Sequence, residues 1–230
     1  MLFARSAFAV AAQGLVAAIY AAHGSATPWR DAGAWLPAYG SLIDAGCLGL
    51  LWWLARARGH HAARFYQLRS QTLGARSVVG RRAHPPGLVF IYGGIIASSL
   101  LVYGNPDALQ IYGPLPLLPA LYGVLIFPLV WGITEQTTYN GYLLPRFQVL
   151  SGSTGFAVAV VAFSWSFQHA VMPLTFDPHF MLYRLLAPIA HSTFITLVYL
   201  RVRRILPLAT AHWLMDGVSA FIGILWPLLR

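Results

Sequence analysis

The chain has 230 residues, of which 58% are hydrophobic and only 9% charged. Its mean hydropathy of +0.63 excludes an ordinary soluble domain. The formal charge of +9 comes from arginine, since no lysine occurs, and anchoring to anionic lipid head groups accounts for it without any nucleic acid. A single cysteine, Cys47, rules out an internal disulfide and a cysteine-only metal site.

Apolar runs near the ~20 residues needed to cross a bilayer recur along the chain. Taken in order, they cover 3–22, 34–54, 88–102, 114–144, 155–172, 181–200 and 207–229. Helices are expected, because lipid offers backbone amides no partner and no period-two alternation suggests a barrel. The first run follows Arg5 and ends in small residues, as a signal peptide would. Its apolar stretch is too long for a typical signal core, so it reads as a spanning helix. The third run is short, and the fourth is long enough to tilt or to project beyond the bilayer. The expected fold is therefore all-α: one polytopic membrane domain over 1–230 with about seven transmembrane helices.

Arginine sets the expected orientation. The loop 55–87 carries Arg56, Arg58, Arg64, Arg69, Arg76, Arg81 and Arg82, and the turn after the sixth run carries Arg201, Arg203 and Arg204. Seven spans put both on the side of Arg146, and the positive-inside rule makes that side cytoplasmic. The loops opposite (23–33, 103–113, 173–180) hold only Arg30. The N-terminus is thus expected inside, in the cytoplasmic (inner) membrane of a prokaryote.

Glu135 is the only glutamate, and it lies within the fourth apolar run. An acid at a helix centre costs ~2.5–3.5 kcal/mol on insertion scales, so it is expected to face a cavity or a partner. Asp44, His169, His191, His212 and Asp216 are the other ionisable groups at such depth. His212 and Asp216 are four residues apart on a helix and point together. A carboxylate and two imidazoles in a partly dry pocket are the parts needed to activate water. They could equally hold a divalent metal such as zinc, with His169 and His212 as nitrogen ligands. No His-Glu-x-x-His pattern occurs, so acid–base chemistry is the stronger reading. Asp44 is expected to be hydrogen-bonded inside the bundle, with Arg184 within its choice of partners. His191 is expected to bond across helices near Ser192, Thr193 and Thr196. Trp52, Trp53, Trp226 and Tyr183 read as interfacial belt residues. His60 and His61 read as part of a solvated basic loop.

Three stretches carry a family resemblance. Glu135-Gln136-Thr137-Thr138-Tyr139-Asn140-Gly141-Tyr142-Leu143-Leu144-Pro145-Arg146 resembles the first motif of the CPBP (CAAX protease and bacteriocin-processing, or Abi) intramembrane proteases, Glu-Glu-x-x-x-Arg-Gly. Phe163-Ser164-Trp165-Ser166-Phe167-Gln168-His169, with Pro173 soon after, resembles the second. His212-Trp213-Leu214-Met215-Asp216 resembles the third, His-x-x-x-Asn. Order and spacing agree over 115–220. The resemblance implies an all-helical membrane peptidase with motifs on the fourth, fifth and seventh helices. In it Glu135 activates water, while His169, His212 and, less directly, Asp216 bind or polarise around it, and Gln136 and Asn140 support the site. The substrate it implies is a membrane-associated or prenylated peptide or protein.

Two departures stand out. Gln136 occupies the place of the family's second Glu, and Asn140 that of its Arg. A neutral amide pair one turn apart keeps a hydrogen bond without two buried charges and leaves the water-activating position intact. The same change also suits a catalytically silent membrane adaptor or chaperone. A small-solute or proton transporter using these buried acids and imidazoles is a third class. A retinal photoreceptor is excluded, because no lysine is present for a Schiff base.

Overall fold

Every segment long and apolar enough to enter lipid winds into helix, which satisfies its amides internally. The computed structural model describes residues 1–57, 73–106 and 115–229, with side chains from 86 onward in the middle segment. In chain order the helices are α1 (Ala4–Ala22), α2 (Pro28–Ala34), α3 (Leu36–Ala57), α4 (Leu73–Tyr103), α5 (Leu117–Leu125) and α6 (Phe127–Glu135). A π-helical stretch (Gln136–Leu143) follows, then α7 (Leu144–Ser151), α8 (Thr154–Ala170), α9 (Pro178–Leu186), α10 (Ile189–Val202) and α11 (Ile205–Ala220). Among the described residues there is no strand.

Among the described residues six stretches are long and apolar enough to cross a membrane: Ala4–Ala22, Leu36–Ala57, Pro86–Tyr103, Leu117–Ser151, Pro178–Val202 and Ile205–Leu228. The remaining expected run is α8, helical but only 17 residues long. One expectation needs correction: the loop placed at 55–87 is helical from Leu73 onward. Hydropathy marked where the apolar run begins, whereas good helix formers upstream (Leu73, Ala75, Arg76, Arg81, Arg82) extend the helix beyond it. Arg58, Arg64, Arg69, His60 and His61 lie outside the described residues.

The fourth run is broken rather than straight. Pro128 sits in the first turn of α6, where its missing amide is tolerated, so α5 ends at Leu125. Pro145 at the start of α7 likewise cannot donate to the carbonyl four residues back, and the chain before it is wound wide. Gly152 at φ 66° ends α7, and the Ser153 hydroxyl accepts the Phe156 amide at 3.2 Å to start α8.

The main core joins the π-helical stretch (Tyr139, Tyr142, Leu143) to α8 (Val161, Trp165), α10 (Ile195, Tyr199) and α11 (Ile205, Leu208, Met215). A second cluster joins α1 (Ala9, Ala12), α3 (Tyr39, Ile43) and α6 (Phe127, Trp131). The polar residues at membrane depth lie where these two clusters meet. Large apolar side chains such as Leu101 and Val149 stay outward, 78% and 84% exposed, as lipid-facing residues would. Trp52, Trp53 and Trp226 are also exposed, but Tyr183 is buried against Tyr103 and Phe180, so it is no belt residue.

Close backbone approach fixes α4 against the α9–α10 junction. A Cβ on Gly94 would collide with the Ala187 carbonyl oxygen, whereas one on Gly93 would meet nothing within 4 Å. Backbone cannot swing aside as a side chain can, so Gly94→Ala should destabilise by about 1–3 kcal/mol. Thermal unfolding in detergent should show that fall and leave Gly93→Ala near wild type.

Candidate active site

Glu135 ends α6 immediately before the helix widens, and its side chain is fully buried. A buried carboxylate needs donors on both oxygens. Trp165 of α8 donates its indole N–H to Oε2 at 2.8 Å, and Gln168, one turn on, donates its amide to Oε1. The Arg5 guanidinium of α1 completes the cradle, with Nη2 3.6 Å from Oε1.

The histidines of the second and third motifs converge on the same group. His212 Nε2 lies 3.5 Å from Glu135 Oε2 and 3.2 Å from Asp216 Oδ2, so this imidazole stands between two carboxylates. His169 Nε2 lies 4.0 Å from Glu135 Oε1. Gln136 contacts the opposite nitrogen of His212, its amide 3.4 Å from Nδ1, and accepts from Asn140 Nδ2 at 2.8 Å. The structure therefore gathers Glu135, His169, His212 and Asp216, with Gln136 and Asn140 linked behind them.

Trp165, His169, His212 and Asp216 also line a cavity of about 110 Å³ between α4, α6, α9 and α11. Its other polar walls are Arg184, His191 and Ser219, and Ile91, Ile95, Phe127 and Ala220 make it largely apolar. Glu135 lies just behind this wall, reached past His212 and His169. The donor set does not fit the zinc that two histidines and an acid made conceivable. Among the described residues no three His, Cys, Asp or Glu side chains group so as to hold a metal ion.

Asp44 is hydrogen-bonded inside the bundle, as expected, but its partner is not the one named. Asp44 does not pair with Arg184: it takes Arg5 Nη1 at 2.5 Å, while Arg184 Nη2 donates to the Met172 carbonyl at 2.9 Å and approaches His169 Nδ1 at 3.4 Å. His191 forms no interhelical hydrogen bond with its serine and threonine neighbours. Its ring faces His212 at 5.5 Å between centroids, opens on the cavity and reaches the Gly87 backbone of α4.

Sequence reading passed over Arg5, which looked like the charged end of a leader-like segment. It is 1% exposed, donates Nε to Gln168 Oε1 at 2.8 Å, and lies 4.5 Å from the Trp131 ring centre. Its signal was available: an arginine two residues into an apolar run faces either the interface or a buried acid. Trp165 and Gln168 sat inside the second motif without an assigned role.

Residues 117–218 match the family model described as type II CAAX prenyl endopeptidase Rce1-like. That match supports the CPBP intramembrane proteases as the family, and it spans Glu135, His169, His212 and Asp216 but neither Arg5 nor Asp44. No curated protein and no solved structure matches the chain.

Trp165→Phe keeps the ring stacked on Tyr139 but deletes the donor to Glu135. Leaving a buried carboxylate oxygen short of a donor should cost about 1–3 kcal/mol, read as a fall in Tm in detergent. The same substitution in a Glu135→Gln background should cost clearly less.

Proposed function

We propose that the chain is an intramembrane endopeptidase that cleaves a membrane-associated peptide or protein by water activated at Glu135. The observation that carries the reading is the convergence of a fully buried carboxylate, at 3.5 and 4.0 Å, on two imidazoles that line a cavity. Match of residues 117–218 to a prenyl endopeptidase family makes a prenylated peptide the substrate class of choice.

In this reading a water entering between His169 and His212 gives its proton to Glu135 as its oxygen attacks the scissile carbonyl. The carbonyl oxygen gains charge as that bond forms, and His169, whose Nδ1 faces the Arg184 guanidinium, is placed to donate to it through Nε2. Asp216 holds the His212 ring in orientation through Nε2, and Gln136 does so through Nδ1. When the tetrahedral intermediate collapses, the proton on Glu135 passes to the departing amine. The apolar walls exclude bulk water and accept aliphatic side chains. Gln136 and Asn140 do not remove any group these steps require.

The positive-inside argument places the N-terminus and the Arg201–Arg204 turn in the cytoplasm. A cysteine at the exposed Arg203 should label with an impermeant maleimide only after the membrane is opened to the cytoplasmic side. Labelling of intact cells at that position would reverse the orientation.

Glu135→Gln preserves shape but removes the base, so cleavage of a prenylated peptide by the reconstituted protein should fall by at least ~10²–10⁴-fold. Gln136→Ala should cost far less, since that amide only orients neighbours. Equal activity in Glu135→Gln and wild type, with folding intact, would end the peptidase reading in favour of a silent scaffold.

A further inference from the structure

The ion pair absent from the first motif has a counterpart elsewhere in the site. In the motif that residues 135–140 resemble, an acid and an arginine one turn apart stand beside the lead glutamate; here they are Gln136 and Asn140, bonded as neutral amides at 2.8 Å. On the opposite side of Glu135, Arg5 and Asp44 form a fully buried pair at 2.5 Å. The pair Arg5–Asp44 carries the same formal charges as the acid and arginine of that sequence motif. Neither Arg5 nor Asp44 falls within the residues that match the family model.

We propose that Arg5, backed by Asp44, is the positioning residue for Glu135, supplying from α1 and α3 the buried arginine–acid pair that the first motif lacks. This rests on the peptidase reading only for its catalytic consequence; the positioning itself is a property of the fold.

The geometry supports it at three points. Arg5 spends its nitrogens on the groups that fix Glu135: Nη1 on Asp44, Nη2 toward Glu135 Oε1, and Nε on the Gln168 carbonyl oxygen at 2.8 Å. Taking that oxygen turns the Gln168 amide nitrogen toward Glu135, to which it donates. Tyr139 donates to the same Gln168 oxygen at 2.9 Å, so the amide cannot flip without losing two donors. Arg5 thus sets both the charge beside Glu135 and the orientation of its second donor. Stacking near the Trp131 ring and complete burial hold the guanidinium in one place. A purely structural ion pair would need Asp44 alone.

The test uses the full chain purified in detergent, with Arg5→Gln, Arg5→Lys, Glu135→Gln and the Arg5→Gln/Glu135→Gln double variant. Thermal unfolding needs no substrate. Breaking a buried pair should lower Tm in Arg5→Gln by on the order of 10 °C, and by clearly less when Glu135 is already Gln. Additive losses would mean that Arg5 does not act on Glu135 and would overturn the proposal. In cleavage of a prenylated peptide at a temperature where each variant is folded, Arg5→Gln should lose about 10²-fold in kcat with KM little changed. Arg5→Lys, which keeps the charge, should recover most of that loss. A folded Arg5→Gln protein with wild-type kcat would also overturn the proposal. If wild type and Glu135→Gln both fail to cleave, the peptidase reading falls while the thermal cycle still decides the role of Arg5.

Discussion

A carboxylate buried completely in a helical bundle must be met by donors, and Glu135 takes its partners from helices far apart in sequence. Trp165 and Gln168 donate from α8, and the Arg5 guanidinium of α1 stands 3.6 Å away as its ionic partner. An isolated buried charge would cost several kcal/mol even after relaxation, so these helices cannot separate without exposing that cost. The placement of α1 follows. Its alanines could slide along α3 with little change in apolar contact, but Arg5 can meet Asp44, Gln168 and Glu135 in only one register.

The widened stretch after Glu135 serves the same cradle. Thr137 returns its hydroxyl to the Ile133 carbonyl at 2.7 Å, and Tyr139 lies flat on Trp165, 5.2 Å between ring centres at 7°. Tyr139 also reaches Gln168, so one turn of wide helix stacks on one donor to Glu135 and steadies the other. A regular α-helix would place these side chains about 100° apart per residue with no such freedom. The gain is local, and it is bought with poorer backbone bonding in a segment flanked by Pro145.

Much of this was legible in the sequence, because the bilayer is a severe constraint. Apolar runs marked the helices, and the cost of ionisable groups at depth singled out Glu135, His169, His212 and Asp216 as a group. The i, i+4 spacing of His212 and Asp216 gave their contact directly. What could not be read was pairing across long sequence separation. Asp44 was within reach of any buried arginine, and only the packing of α1 on α3 chooses Arg5 over Arg184. Residues near 73–87 were misread for a different reason: hydropathy reports the lipid boundary, and a helix that continues into the aqueous side carries no apolar signal.

The charges around Glu135 divide into two sides, and the division says how the site can be both stable and open. On the inner side Arg5 and Asp44 compensate one another, with no cavity between them. On the outer side His169, His212, Asp216 and Arg184 form the cavity wall. His212 bridges the sides, 3.5 Å from Glu135 and 3.2 Å from Asp216, with Asp216 still partly exposed. Rearrangement on the outer side therefore leaves the inner pair and the Gln168 donor in place. A buried acid held only by the groups that meet substrate would lose its compensation each time they moved. Here Arg5, Asp44 and Gln168 hold Glu135 from behind, and of its two hydrogen-bond donors only Trp165 also lines the cavity, so the site can admit water while the inner compensation of the charge stays in place.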